Sequence, residues 1–262
     1  MLMEVKNQIR VCLLSIKYAL EREMLNKVSF LSNVFFMILN NASFLIQWVV
    51  LLSVKGSIGS FTMKEIFLLW GIASGTYGVS HFFFEKAYSL SETITEGSLD
   101  TFLVQPKNVL LSVITSDIKT SAIGDLIFAL VMVILYDIRV LPLYTLFCIT
   151  GGLILTSIAI IFSSLSFWIV RADMIADNMN SSMIMFSTYP GDIFKGGINI
   201  ILYSILPVGI VNYLPVSVLR EFNLMYFIIL VAVCILFISS SYIIFNRGLR
   251  RYSSSNLMNV RI

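Results

Sequence analysis

Four stretches of this sequence, residues 28–54, 66–84, 143–170 and 222–245, contain no Asp, Glu, Lys or Arg. Each reaches the roughly 18–20 apolar residues that carry a helix across a hydrocarbon core of about 30 Å at ~1.5 Å per residue. Hydrocarbon offers the backbone no partner outside its own segment, so such runs are either helices or strands of a closed barrel. Barrel strands alternate polar and apolar residues over about 10 positions. These runs do not alternate, so the reading is helical. Composition agrees, with 58% hydrophobic and 13% charged residues and a mean hydropathy of +0.89. A soluble domain carries about 25% charged residues, more than this chain can supply to a solvated surface.

Two further segments are apolar but interrupted. Residues 120–136 carry only Asp125, and 174–219 is broken by Pro190, Gly191, Asp192, Lys195, Pro207 and Pro215. The sequence therefore predicts an all-α polytopic membrane protein with six transmembrane helices. These lie at about 28–54, 65–84, a third starting within 109–120 and ending near Tyr136, 143–170, 172–190 and 222–245. Residues 191–219 are expected to form an external re-entrant pair of half-helices around Pro207. A competing path takes 196–214 as the fifth span and leaves 172–190 as a cytoplasmic helix. In the tight turn from Asp137 to Pro142, Pro142 suits a helix start, and Tyr136 and Tyr144 are expected at the interface.

Cationic residues mark the cytoplasmic side. With six spans, thirteen of the eighteen Lys and Arg fall on the side of the termini. Both termini are therefore expected in the cytoplasm. Residues 1–27 lack the short basic start, brief apolar core and small-residue site of a secretory signal. Val5, Ile9, Leu13, Ile16 and Leu20 form an apolar stripe there, as in a helix lying in the membrane interface; packing on a neighbouring subunit is the other reading. The six-span domain covers 28–246. The tail 247–262 begins basic, and Arg247, Arg250 and Arg251 suit anionic headgroups. Membrane lipid is thus an expected partner, and a formal charge of +3 gives no reason to propose nucleic acid.

Several chemistries lack their residues. The nearest approach to a phosphate loop runs from Gly191 to Gly196, with Gly197 where Lys is needed, so this chain is not expected to bind ATP. His81 is the only histidine and reads as an interfacial or packed residue; Cys12, Cys148 and Cys234 are too dispersed for a disulfide framework. No metal site and no catalytic residue are expected. Among ionisable residues inside the spans, which default to functional hypotheses, Asp125 stands out. It reads either as a substrate-pathway contact or as a helix-positioning residue paired with Lys119. Asp177 and Asn180 are further pathway candidates, with polar interhelical bonding as the alternative.

The positive signal lies in the connection 85–108. It interleaves Glu92, Glu96 and Asp100 with Ile94, Leu99, Phe102 and Leu103. That suits a short helix docking into a groove on a soluble partner, and equally a surface loop capped by Ser91 or Thr95. The run Ile94-Thr95-Glu96-Gly97-Ser98-Leu99-Asp100, followed by Leu103 and Pro106, resembles the signature of the ABC type-2 permease family, in particular its bacterial six-span branch. Gly124-Asp125, Tyr189-Pro190, Pro207 and Pro215 extend the similarity over nearly the whole chain.

The resemblance implies a cytoplasmic coupling helix between the second and third spans, seated in a cleft of a separate ABC ATPase subunit. Glu92, Ile94, Glu96, Gly97, Leu99, Asp100, Phe102 and Pro106 would be its ATPase-coupling residues. It implies two permeases, alike or different, with two ATPases that bind the ATP and Mg2+. It also implies export across the plasma membrane. The expected function is thus that of a non-enzymatic permease subunit of an ATP-driven exporter. The rival readings are a secondary transporter, for which Asp125 is the only coupling candidate, and a non-transporting membrane anchor of a partner complex.

Overall fold

A computed structural model describes residues 2–57, 61–169, 172–194, 196–204 and 206–253. Gly59, Arg171, Lys195, Arg261 and the tail from residue 254 lie outside the described residues, as does the side chain of Val5. Helix accounts for 83% of the structure, and no strand forms among the described residues. Twelve α-helices follow one another among the described residues: α1 (Leu2–Met24), α2 (Lys27–Lys55), α3 (Met63–Phe84), α4 (Leu90–Thr95), α5 (Asp100–Leu103), α6 (Val109–Ile114), α7 (Ala122–Tyr136), α8 (Leu141–Ser163), α9 (Ala172–Ser187), α10 (Gly197–Ser204), α11 (Leu214–Arg220) and α12 (Leu224–Leu249).

Local chemistry sets the helix boundaries. The Asn26 side chain accepts the Ser29 N–H (3.1 Å) at the start of α2, and Asn223 accepts those of Met225 (2.9 Å) and Tyr226 (3.3 Å) at the start of α12. Both satisfy amides that an open helix end leaves unpaired. The Glu65 carboxylate reaches back to the Thr62 N–H (2.8 Å) at the start of α3. Pro142 sits in the first turn of α8, as its fixed φ favours.

Among the described residues, four helical stretches are long and apolar enough to cross a membrane: Lys27–Lys55, Met63–Thr95, Ile138–Phe167 and Leu224–Leu249. The chain is a multi-pass membrane protein. α7 is apolar but has only 15 residues. The third span, expected to start within 109–120, starts at Ala122, and the short helix α6 before it ends at Ile114.

The long helices pack in a row, α2 on α7, α7 on α3, α3 on α8 and α8 on α12. Burial follows this order. The apolar window of α3 is 72% buried, those of α2 and α12 only 11% and 17%, which leaves the outer helices apolar and uncovered within the chain. Gly71, Gly75 and Gly78 of α3 face Tyr144, Cys148 and Leu126. Small residues at such contacts let membrane helices approach closely, where lipid gives little hydrophobic drive for association. Tyr144 corrects the interface expectation: it is buried, and its hydroxyl donates to the Ala129 carbonyl (2.9 Å), because the helical period turns it toward α7.

α9 packs along α8, with contacts to α4 near its start. Past its end Tyr189 meets Trp48 of α2 edge-on at 5.9 Å. Two short helical pieces then flank Pro207. α10 precedes it; a π-helical turn Gly209–Tyr213 leading into α11 follows it and packs on α3 and α8. Arg220, closing α11, stands 3.9 Å from Glu65 at the start of α3.

Candidate functional site

The connection after α3 folds into a compact knuckle. A 3-10 turn, Glu85–Ala87, leads into α4. Gly97 ends α4 with φ +76°, a left-handed conformation that costs any other L-residue about 1–2 kcal/mol. The reversal lets the Leu99 N–H (3.2 Å) and the Ser98 hydroxyl (3.2 Å) reach the Thr93 carbonyl. Leu90, Ile94 and Leu99 are fully buried and join a cluster with Ile160, Phe167 and Phe245, which roots the knuckle on the ends of α8 and α12. Ser91 and Ser166 share a hydrogen bond of 2.6 Å at this seat.

The eight residues expected at the coupling surface gather here but divide by face. Glu92 and Glu96 are exposed on the outer side of α4, and Pro106 is exposed beyond Leu103 and Val104. Ile94 and Leu99 point into the chain, and Phe102 packs half-buried on the same cluster. Asp100 lies against the Tyr252 phenol, which burial and the neighbouring carboxylate push above the ordinary range. α1 runs alongside: the Asn108 N–H donates to Gln8 (2.9 Å), Arg22 pairs with Asp117 (2.5 Å) and Thr120 donates to Glu23 (2.8 Å). That leaves Ile9 and Leu13 of the apolar stripe exposed.

A second feature is a crevice of about 360 Å3 between α2, α3, α7 and the end of α9. Asp125 is buried in its wall. Gly124 makes this placement possible, since a Cβ there would stand 2.6 Å from the Val34 carbonyl oxygen of α2. Asn41 donates to Asp125 Oδ1 at 2.7 Å, and Ser74 donates to the Asp125 carbonyl at 2.8 Å. The expected pairing with Lys119 does not form; Lys119 stands 3.8 Å from Glu85, which also bonds His81 Nδ1 at 2.5 Å. His81 is stacked on Tyr88 (4.1 Å) and lines the crevice together with Lys119. Along the same helices the lining is aromatic: Phe44 stacks on Trp70 at 5.7 Å, and Tyr77 and Tyr189 also line the crevice.

Asn180 lines a smaller cavity of about 50 Å3 next to the crevice, on the far side of Tyr77 and His81. Asp177 is exposed and lines neither cavity. Sequence reasoning missed Asn41, Ser74 and Trp70. The adjacent Asn40 and Asn41 in an otherwise apolar run were the available signal, because polar side chains in spans seek interhelical partners. No group of three or more His, Cys, Asp or Glu residues suited to a metal ion occurs among the described residues.

Against known families, the model described as ABC-2 family transporter protein matches residues 37–256. No curated protein and no solved structure matches the chain. The matched region takes in the knuckle, the crevice and all helices from most of α2 to α12.

Proposed function

Because the chain belongs to the ABC-2 transporter family, whose members are membrane components of transporters with an ATPase partner, we propose that it is the permease subunit of an ATP-driven exporter in the cell membrane. In this reading it crosses the membrane six times with both termini in the cytoplasm. The crossings are α2, α3, α7, α8, α9 and α12. α10 and the helix after Pro207 form the external re-entrant pair, consistent with the packing of α11 near the start of α3. α1 lies in the interface, with Ile9 and Leu13 toward lipid.

The observation that carries the reading is the two-faced knuckle: an acidic outer face on α4, and an inner face locked to the ends of α8 and α12. Glu92 and Glu96 meet a basic cleft on the ATPase, with Pro106 at the edge of the contact. Ile94, Leu99 and Phe102 do not touch the partner; they transmit its movement to the ends of α8 and α12. Gly97 sets the angle of the knuckle, and Asp100 lies beside Tyr252, just past the end of α12. ATP and Mg2+ bind on the ATPase. Its closure moves α4, and through α3 and α7 the walls of the crevice. A second permease chain, alike or different, covers the exposed apolar face of the row. Asp125 and Asn180 stand along the pathway; Asp177, exposed on α9, stands at its cytoplasmic entrance.

The test is a pair of charge reversals, Glu92→Lys with Glu96→Lys, in the complex reconstituted in vesicles. We expect the chain to insert and remain folded, while ATPase binding falls at least tenfold and ATP-driven efflux is lost. Efflux at the native rate would overturn the assignment of this surface.

A further inference from the structure

We propose that the crevice is a binding site for an aromatic or amphipathic cation, whose positive head meets Asp125 and whose apolar body lies against Phe44, Trp70, Tyr77 and Tyr189. The inference rests on the permease reading only in calling this ligand a cargo; the site itself stands on the geometry of one chain.

Three observations point to this chemistry. The cavity, at about 360 Å3, falls within the roughly 300–1,000 Å3 typical of small-molecule sites, and it combines an aromatic wall with a few convergent polar groups. Asp125 is only 7% exposed, yet its hydrogen bonds reach Oδ1 alone; Oδ2 takes none from a described residue. A buried carboxylate with a single close donor is under-compensated in an apolar wall. A bound cation would supply the missing partner. Trp70 is buried in the same wall, its ring stacked on Phe44 at 5.7 Å. Ring faces attract cations within about 6 Å, so the wall that shelters the ligand's body also favours its charge.

The cations already present do not fill this role. Lys119 and His81 line the crevice, but both engage Glu85, at 3.8 Å and 2.5 Å. Among the described residues no Lys, Arg or His stands within 4.0 Å of the Asp125 carboxylate. An anionic head would have to displace Lys119 from Glu85 while facing Asp125, so the balance favours a cation.

The test uses the full chain in nanodiscs of zwitterionic phosphatidylcholine, with ethidium as the probe and its fluorescence anisotropy as the readout against empty nanodiscs. Saturable binding is expected. Tetraphenylphosphonium, an aromatic cation, should displace the ethidium; 2-naphthalenesulfonate, an aromatic anion, should not. Asp125→Asn keeps the volume and a hydrogen-bonding oxygen for Asn41 but removes the charge, and should weaken ethidium binding at least tenfold. Tyr189→Ala, at the exposed mouth, should weaken it three- to tenfold. The proposal falls if binding is not saturable, if 2-naphthalenesulfonate competes as well as tetraphenylphosphonium, or if Asp125→Asn binds within twofold of the native chain. The displacement pair needs no variant, so poor folding of Asp125→Asn leaves the charge preference decided. Loss of cation binding while an ATPase still co-purifies would remove the ligand class and keep the permease; cation binding without an ATPase would do the reverse.

Discussion

Asp125 and Asn41 are 84 residues apart and meet at 2.7 Å inside a helical bundle. Interhelical hydrogen bonds in membranes average about 0.6 kcal/mol, but orphaning a buried acceptor costs about 1–3 kcal/mol, more when it is charged. Asn41→Leu should therefore lower the midpoint of thermal unfolding in detergent by several degrees. Asn41→Leu combined with Asp125→Leu should recover much of that loss, because no orphaned carboxylate remains; an unchanged midpoint in the single variant would mean that the pair does not hold α2 to α7. Gly97 makes a different prediction. Gly97→Val forces a β-branched residue into a left-handed turn and should cost about 1–2 kcal/mol locally, tilting the knuckle without unfolding the bundle. Insertion should persist while ATP-driven efflux falls several-fold. At this scale the sequence was half legible. A carboxylate in an apolar run announced itself, but its partner did not: Lys119 stood nearer in sequence, and only the packing of α2 on Gly124 brings Asn41 within reach.

α4 has six residues and could not stand as a helix alone. Its seat on α8 and α12 supplies the stability, so its two faces should respond differently to substitution. Ile94→Ala removes a fully buried side chain and should destabilise the chain by about 2–5 kcal/mol, read as lower yield and a lower unfolding midpoint. Glu92→Lys, on the exposed face, should leave both unchanged and act only on ATPase binding. Equal effects on stability would refute the two-faced arrangement. The interleaving of acidic and apolar residues in 85–108 was visible from the sequence, and the resemblance singled out Gly97 without showing that it makes the turn. Which apolar residues face inward was not visible, because a six-residue helix offers too few turns for periodicity to define a face. The long uncharged runs located α2, α3 and α12 and the start of α8 within a few residues, since hydrocarbon thickness leaves their length little freedom; α8 itself ends at Ser163, short of the expected 170. α7 was harder: the sequence left the start of the third span open within 109–120, and α7 begins at Ala122, after a break at 115–121.

Across the whole molecule, the row α2, α7, α3, α8, α12 gives the chain two mostly buried long helices, α3 and α8, and two that are mostly uncovered, α2 and α12. Hydropathy could not reveal this order, because lipid-facing and protein-facing sides are equally apolar in a membrane helix. It emerges from where small residues permit contact, chiefly the glycines of α3 against α7 and α8. The arrangement also sets the proposed mechanics. The knuckle is fixed to the ends of α8 and α12 and lies between α3 and α7 in sequence, so a push on it reaches both walls of the Asp125 crevice. That account depends on a partner to do the pushing. The most direct measurement is affinity purification of the tagged chain from its native membranes under gentle detergent or in nanodiscs, with mass spectrometry of the proteins retained. The account predicts a stoichiometric soluble protein carrying a phosphate-binding loop, lost when Glu92 and Glu96 are reversed to Lys. Recovery of the intact chain with no such ATPase would contradict it.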